Sequence, residues 1–237
     1  MNERTLLYQD KYEHLIYFLK FINILSQKNK VNVYFKNKNY EEEIVDLIKY
    51  NYYSPNNIDF LDSQPKTYDL IDLKRLENNY AFSNIIYKFF EIIDESTTDY
   101  DFNIQALNRD LNIDKLYKVL HFNENNDINF NFERIFNGDY NDILGANFKS
   151  SNFIFIGELD IYEKIEGFIK ENVADIKYYE STKNLLDIVK IISKSEMFIG
   201  NPILYLSIAQ ELSIDAITII SSNQVLYKDS NTLCLNV

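Results

Sequence analysis

Apolar residues recur along this chain in two alternating rhythms. Thr5–Gln9 is short, apolar and strand-like, and from His14 to Leu25 the spacing becomes helical. Leu15, Phe18, Leu19, Ile22 and Leu25 fall three or four residues apart, as on the wide buried face of a helix. Val31–Phe35 alternates as a second strand. Tyr40–Tyr50 predicts a second helix, with Ile44, Leu47 and Ile48 turned inward and Glu41, Glu42 and Glu43 at its positive N-terminal end. Ile58–Leu61 and Tyr68–Leu73 are further strand candidates, separated by the turn-prone Asp62-Ser63-Gln64-Pro65. The pattern turns helical from Asn78 through Phe90 and Ile93, gives way to a polar loop at Glu95–Asp101, and predicts helix within Leu107–Phe122. Asn123–Asn147 is rich in Asn and Asp.

Strand and helix alternate more clearly in the second half. Asn152–Gly157 is a strand ending in glycine, Ile161–Asn172 a helix, Asp175–Tyr179 a strand, and Thr182–Ser193 a helix with Leu185, Leu186, Val189 and Ile192 inward. Met197–Ile199 is a strand punctuated by Gly200. Asn201 and Pro202 then suit the cap and first turn of a helix reaching Leu212. Ala216–Ile220 is a strand apolar on both faces, and Val225–Tyr227 and Leu233–Val237 are edge elements or tail. Alternation of this kind implies parallel βαβ units. The expected architecture is α/β, with an N-terminal domain over residues 1–148 and a C-terminal Rossmann-like domain over 149–237. The loops that follow strands in such domains, where helix N-termini present free N–H groups, are where phosphates are held.

Composition narrows the chemistry. The 237 residues are 46% hydrophobic and 25% charged, enough for packed cores. A net charge of −12 argues against nucleic acid as the main partner, which requires clustered Lys and Arg. The single cysteine, Cys234, excludes an intramolecular disulfide and a thiolate cluster and favours a reducing compartment. No apolar run reaches membrane-spanning length and the N-terminus lacks a signal-peptide core, so a cytoplasmic location is expected. The abundance of Asn, Ile, Lys and Tyr matches the codons of an AT-rich genome. Only 5 glycines are present, and the sequence contains no G-x-G-x-x-G, no G-x-x-x-x-G-K-[ST] and no G-x-S-x-G. Two histidines, His14 and His121, preclude a multi-histidine metal site.

One segment carries more specific information. Phe155-Ile156-Gly157, then the run from Asn184 through Ile192-Ser193 to Phe198-Ile199-Gly200-Asn201, then Ser207-Ile208-Ala209 and Ala216–Ile220, resembles the C-terminal half of GT-B glycosyltransferases of the heptosyltransferase-like kind. The likeness spans residues 153–220; before that only the βαβ layout corresponds. It implies two Rossmann-like domains in a GT-B-like arrangement, an acceptor-side N-terminal domain and a donor-side C-terminal domain. It also implies transfer of a sugar from a nucleotide-activated donor to a hydroxyl of an acceptor glycan or other compound. No metal or other cofactor is implied.

By the same resemblance, the donor diphosphate belongs at Gly200, Asn201 and Ile203 and near Gly157. The family's general base follows the first strand, at the position of Tyr12-Glu13-His14 here, making Glu13 and His14 the catalytic candidates. Two departures stand out: no glycine loop precedes Glu13, and Pro202-Ile203-Leu204-Tyr205 replaces the family's hydroxyl-bearing turn. An active transferase and a catalytically degenerate GT-B-like binding or scaffold module both remain open. Residue by residue, His14 also suits a capping or packing role, Glu13 a solvated first-turn acid, and Gly200-Asn201 an ordinary turn and cap.

Overall fold

The computed structural model describes residues 2–73, 85–109, 117–122, 152–169, 175–180, 184–200, 204–220 and 232–236. They form two compact units, the first reaching Arg109 and the second containing the described residues from Tyr117 onward.

In the first unit β1 (Asn2–Tyr8) pairs in parallel with β2 (Asn29–Phe35) over its whole length, from Asn2 opposite Asn29 to Tyr8 opposite Phe35. β3 (Ile58–Phe60) and β4 (Asp69–Ile71) complete a sheet of order β3-β2-β1-β4, parallel throughout. Leu6, Leu7 and Tyr8 are buried in succession, the signature of a central parallel strand covered on both faces. α1 (Leu15–Leu25) is buried at every residue except Asn23. One side of it meets the sheet, where Phe18 packs on Tyr8 at 4.2 Å and on Phe35 at 5.9 Å. The other meets α3 (Ile85–Ile92), where Phe21 lies 5.3 Å from Phe89 and 5.0 Å from Phe90 between ring centroids. α2 (Lys38–Lys49) starts at Asn37, whose side chain accepts the Asn39 N–H, and buries Ile44 and Leu47.

The second unit holds a six-stranded sheet of order β10-β9-β8-β5-β6-β7, again parallel at every pairing. Its strands are β5 (Tyr117–His121), β6 (Asn152–Gly157), β7 (Asp175–Glu180), β8 (Ser195–Gly200), β9 (Asp215–Ile220) and β10 (Thr232–Asn236). The described helices are α4 (Leu159–Ile169), α5 (Leu185–Ser193) and α6 (Leu204–Glu211). Counted from β5, the order is 3-2-1-4-5-6, the doubly wound arrangement, and the first unit follows the same 3-2-1-4 scheme. The expected pair of Rossmann-like units is therefore present. The core beside β5 and β6 gathers Leu120, Phe122, Phe153, Phe155, Ile161 and Ile165.

The structure departs from the sequence pattern at β5. The described part of Leu107–Phe122 is a strand, not helix, hydrogen-bonded to β6 on one side and β8 on the other. A short apolar run buried on both faces looks the same in either periodicity, and only the pairing partners distinguish them. Because β5 sits in the middle of the second sheet, the second unit also takes in residues well ahead of position 148. The described part of the tail expected at Leu233–Val237 belongs to β10 (Thr232–Asn236), an edge strand, and Val225–Tyr227 lies outside the described residues. Among the described residues no helix is long and apolar enough to cross a membrane.

Candidate functional site

In a doubly wound sheet the crevice opens at the C-terminal ends of the strands where the order reverses, here beside β1 in the first unit and β5 in the second.

Past β1 the backbone keeps to the sheet for one more residue, with Gln9 N–H donating to Ile71 O at 3.0 Å, and then turns. The fully buried Tyr8 phenol holds the turn, donating to Lys11 O at 2.8 Å. Burial, and secondarily Asp10 and Tyr40 nearby, raise its pKa well above the ordinary tyrosine value, so it remains a neutral donor. A single 3-10 turn, Tyr12–His14, leads into α1. It brings His14 back over Asp10, and His14 Nδ1 lies 2.9 Å from Asp10 Oδ2. The Asp10 side chain is 1% exposed and the His14 side chain 14%. The other carboxylate oxygen of Asp10 accepts the Lys11 N–H at 2.8 Å.

His14 occupies the cap position of α1 yet makes no side-chain capping bond, its ring being turned to Asp10 instead. With Nδ1 donating to a carboxylate, the neutral ring carries its lone pair on Nε2, which is how a histidine is readied as a base. Glu13 lies exposed on the same turn, and no described residue bonds its side chain. Of the two predicted catalytic residues, His14 is oriented by a buried carboxylate and Glu13 is solvated. Asp10 was missed from sequence, where the one available signal was its four-residue spacing from His14.

The ends of β1 and β2 border an open cavity of about 510 Å³, walled by Gln9, Asp10 and Lys11 on one side and by Lys36, Asn37 and Lys38 on the other.

In the second unit β5 and β8 end side by side, with His121 opposite Gly200. A Cβ on Gly200 would lie 2.0 Å from His121 O, so the close approach of the two strands demands glycine there. A Cβ on Gly157 would meet the Phe155 ring at 2.8 Å, and the Gly157 carbonyl accepts the Tyr178 hydroxyl at 3.2 Å. The predicted donor residues Gly157 and Gly200 thus both stand at strand C-termini with packing reasons of their own. Asn201 and Ile203, and the turn holding them, lie outside the described residues. Tyr53 is buried with its hydroxyl on Asn23 Oδ1 at 2.9 Å, and Tyr178 packs on Tyr162 at 5.0 Å.

His121 was hidden in the segment read as helix. Its Nδ1 donates to Ile156 O at 2.8 Å, and its ring stands edge-on to Tyr205 of α6 at 4.0 Å. Burial pulls its pKa down from 6.5 to about 4, with the bond to Ile156 opposing that shift. A value lowered in the folded state means that the unfolded chain binds the proton better below pH 6.5. The stability His121 contributes is full above that pH and is lost as pH falls towards about 4. Between pH 7 and pH 5 the loss should be about 2 kcal/mol. Urea unfolding at both pH values should show a pH dependence smaller by that amount in His121→Gln; an unchanged difference would exclude His121 as its source.

No protein-family model matches the chain, and no curated protein matches it. Solved structures do share its fold. The glycosyl transferase family 9 protein from Veillonella parvula DSM 2008 superposes with a TM-score of 0.60 at 10% identity, over 100% of this chain and 88% of the other. The E. coli heptosyltransferase WaaC, solved with ADP-2-deoxy-2-fluoro heptose, gives 0.56 at 10% identity, over 98% and 92%. The iron-containing dodecameric glycosyltransferase TibC from enterotoxigenic E. coli H10407 gives 0.53 at 11% identity, over 92% and 58%. At such identities the likeness carries the fold: paired parallel α/β units of the GT-B type.

Proposed function

We propose that this protein is a glycosyltransferase that moves a sugar from a nucleotide-activated donor to an acceptor hydroxyl, with no metal in the step. The observation that carries the proposal is the Asp10–His14 pair, a buried carboxylate holding an imidazole at the switch point of the first of two Rossmann-like units.

In this scheme the first unit is the acceptor side. His14 Nε2 takes the proton of the acceptor hydroxyl as its oxygen bonds to the anomeric carbon of the donor. The bond from that carbon to the diphosphate breaks, and its electron pair leaves with the nucleoside diphosphate. Asp10 fixes the tautomer and balances the imidazolium that forms. Glu13 is left with a solvent-facing role. The second unit is the donor side, with the diphosphate near Gly157, Gly200, Asn201 and Ile203, where backbone N–H groups at the start of a helix favour the leaving anion. An ADP-activated heptose is the first donor to try, because WaaC was solved with an analogue of one.

A panel of ADP-, UDP-, GDP- and CMP-sugars tests the class. A true donor at 100 times its dissociation constant adds about 2.7 kcal/mol and should raise the melting midpoint by several degrees. If no nucleotide-sugar shifts the midpoint, the proposal fails. A non-catalytic binding module is the second reading, favoured by Gly200, whose lack of a side chain is explained by His121 O alone. Any measured turnover removes it.

A further inference from the structure

The cavity between the ends of β1 and β2 is positively charged in a chain whose net charge is −12. Its walls carry Lys11, Lys36 and Lys38 against a single acid, Asp10. That carboxylate is already engaged through both oxygens, by His14 Nδ1 and by the Lys11 N–H. Lys38 is answered as well, with Glu41 at 2.6 Å and the Tyr34 ring beneath its ammonium at 4.5 Å.

The other two lysines differ. Lys36 Nζ donates to Gln9 Oε1 at 2.7 Å, an amide that supplies a lone pair and no charge. Gln9 is oriented for this, since its amide nitrogen donates to Asp72 Oδ2 at 3.4 Å. Among the described residues no acid is bonded to Lys11 Nζ. Lys11 and Lys36 thus line one cavity with no described carboxylate bonded to either ammonium, and a bound anion would balance their charge.

We propose that this cavity binds a phosphomonoester. Two compact ammonium point charges favour the anion with the greater charge, a phosphate dianion over a singly charged carboxylate. A volume of about 510 Å³ lies within the range of small-molecule sites and leaves room for more than the phosphate. The Tyr40 ring gives an apolar wall for a carbon skeleton. Asp10 both lines the cavity and holds His14, so the cavity and the imidazole share one carboxylate. Its role as a sugar-phosphate acceptor rests on the glycosyl-transfer proposal; the anion site does not.

The test is calorimetric titration of the full chain with inorganic phosphate, glucose 6-phosphate, glucose and gluconate at constant ionic strength. Lys11→Gln, Lys36→Gln and the surface control Lys30→Gln are compared with wild type, with melting midpoints measured in parallel. Glucose 6-phosphate should bind saturably, more tightly than gluconate, and glucose should not bind. Lys11→Gln and Lys36→Gln should each weaken binding about tenfold without lowering the midpoint, and Lys30→Gln should not weaken it. The proposal is overturned if neither phosphate compound binds, if gluconate binds better, or if both cavity variants bind as wild type does. A protein that binds a nucleotide-sugar but no phosphate compound loses this inference and keeps glycosyl transfer. The converse result keeps the anion site and discards the transferase.

Discussion

Replacing His14 by alanine is expected to lower kcat by about 10²- to 10⁴-fold while leaving nucleotide-sugar affinity unchanged. The separation of the two effects follows from geometry. The imidazole belongs to the first unit, held by Asp10 at 2.9 Å, and the proposed donor residues belong to the second. Asp10→Asn should cost a comparable factor, for a different reason. An amide that turns its NH₂ toward Nδ1 forces the proton onto Nε2, and the ring can then no longer accept one there. Glu13→Gln should stay within about twofold of wild type, because Glu13 is exposed and not bonded to any described residue. Steady-state kinetics with the donor found in the panel, alongside isothermal titration of that donor, gives both quantities. Near-wild-type turnover in His14→Ala, or a collapse in Glu13→Gln, would move the base from His14 to Glu13 or elsewhere.

The second large effect concerns stability. Gly200→Ala should destabilise the second unit by about 3 kcal/mol or more. The added Cβ would sit 2.0 Å from His121 O and 3.0 Å from His121 C, both backbone atoms of a strand paired on each side. No rotamer change relieves that clash, and β5 cannot retreat without disturbing Val119 and Leu120, which are fully buried. Gly157→Ala meets a ring instead of backbone and should cost less, about 1–2 kcal/mol. Urea unfolding followed by far-ultraviolet circular dichroism reports both. A loss below 1 kcal/mol in Gly200→Ala would mean that β5 and β8 can part more easily than their pairing suggests. Weakened donor binding by that variant must be read against its stability, since the glycine has a packing role whatever binds nearby.

These two expectations also mark how far the sequence could be read. His14 was a candidate because it stands where the family resemblance puts the general base, after the first strand at the head of an apolar helix. What made it a candidate base rather than a cap was the buried carboxylate of Asp10, and that depends on the chain turning once between them. Gly200 was legible as the end of a strand, but its need for glycine comes from a carbonyl 79 residues earlier in the chain, at His121. His121 could not be placed, because Tyr117–His121 has the same apolar look in a strand as in a buried helix.

By itself the sequence determined the elements whose periodicity is local. α1 follows from Leu15, Phe18, Leu19, Ile22 and Leu25, α5 from Asn184 and the apolar face behind it, and β6 and β9 from runs too apolar to lie at a surface. Each is written in residues a few positions apart, so it can be read without knowing what lies across from it. Only the tertiary structure decided that β5 is a central strand, that the lysines at positions 11 and 36 wall one cavity, and that β8 leaves no room for a side chain at its end. Those facts are relations between residues distant in sequence. Parallel pairing fixes them through register, and register is a property of the assembled sheet that no single stretch of chain contains.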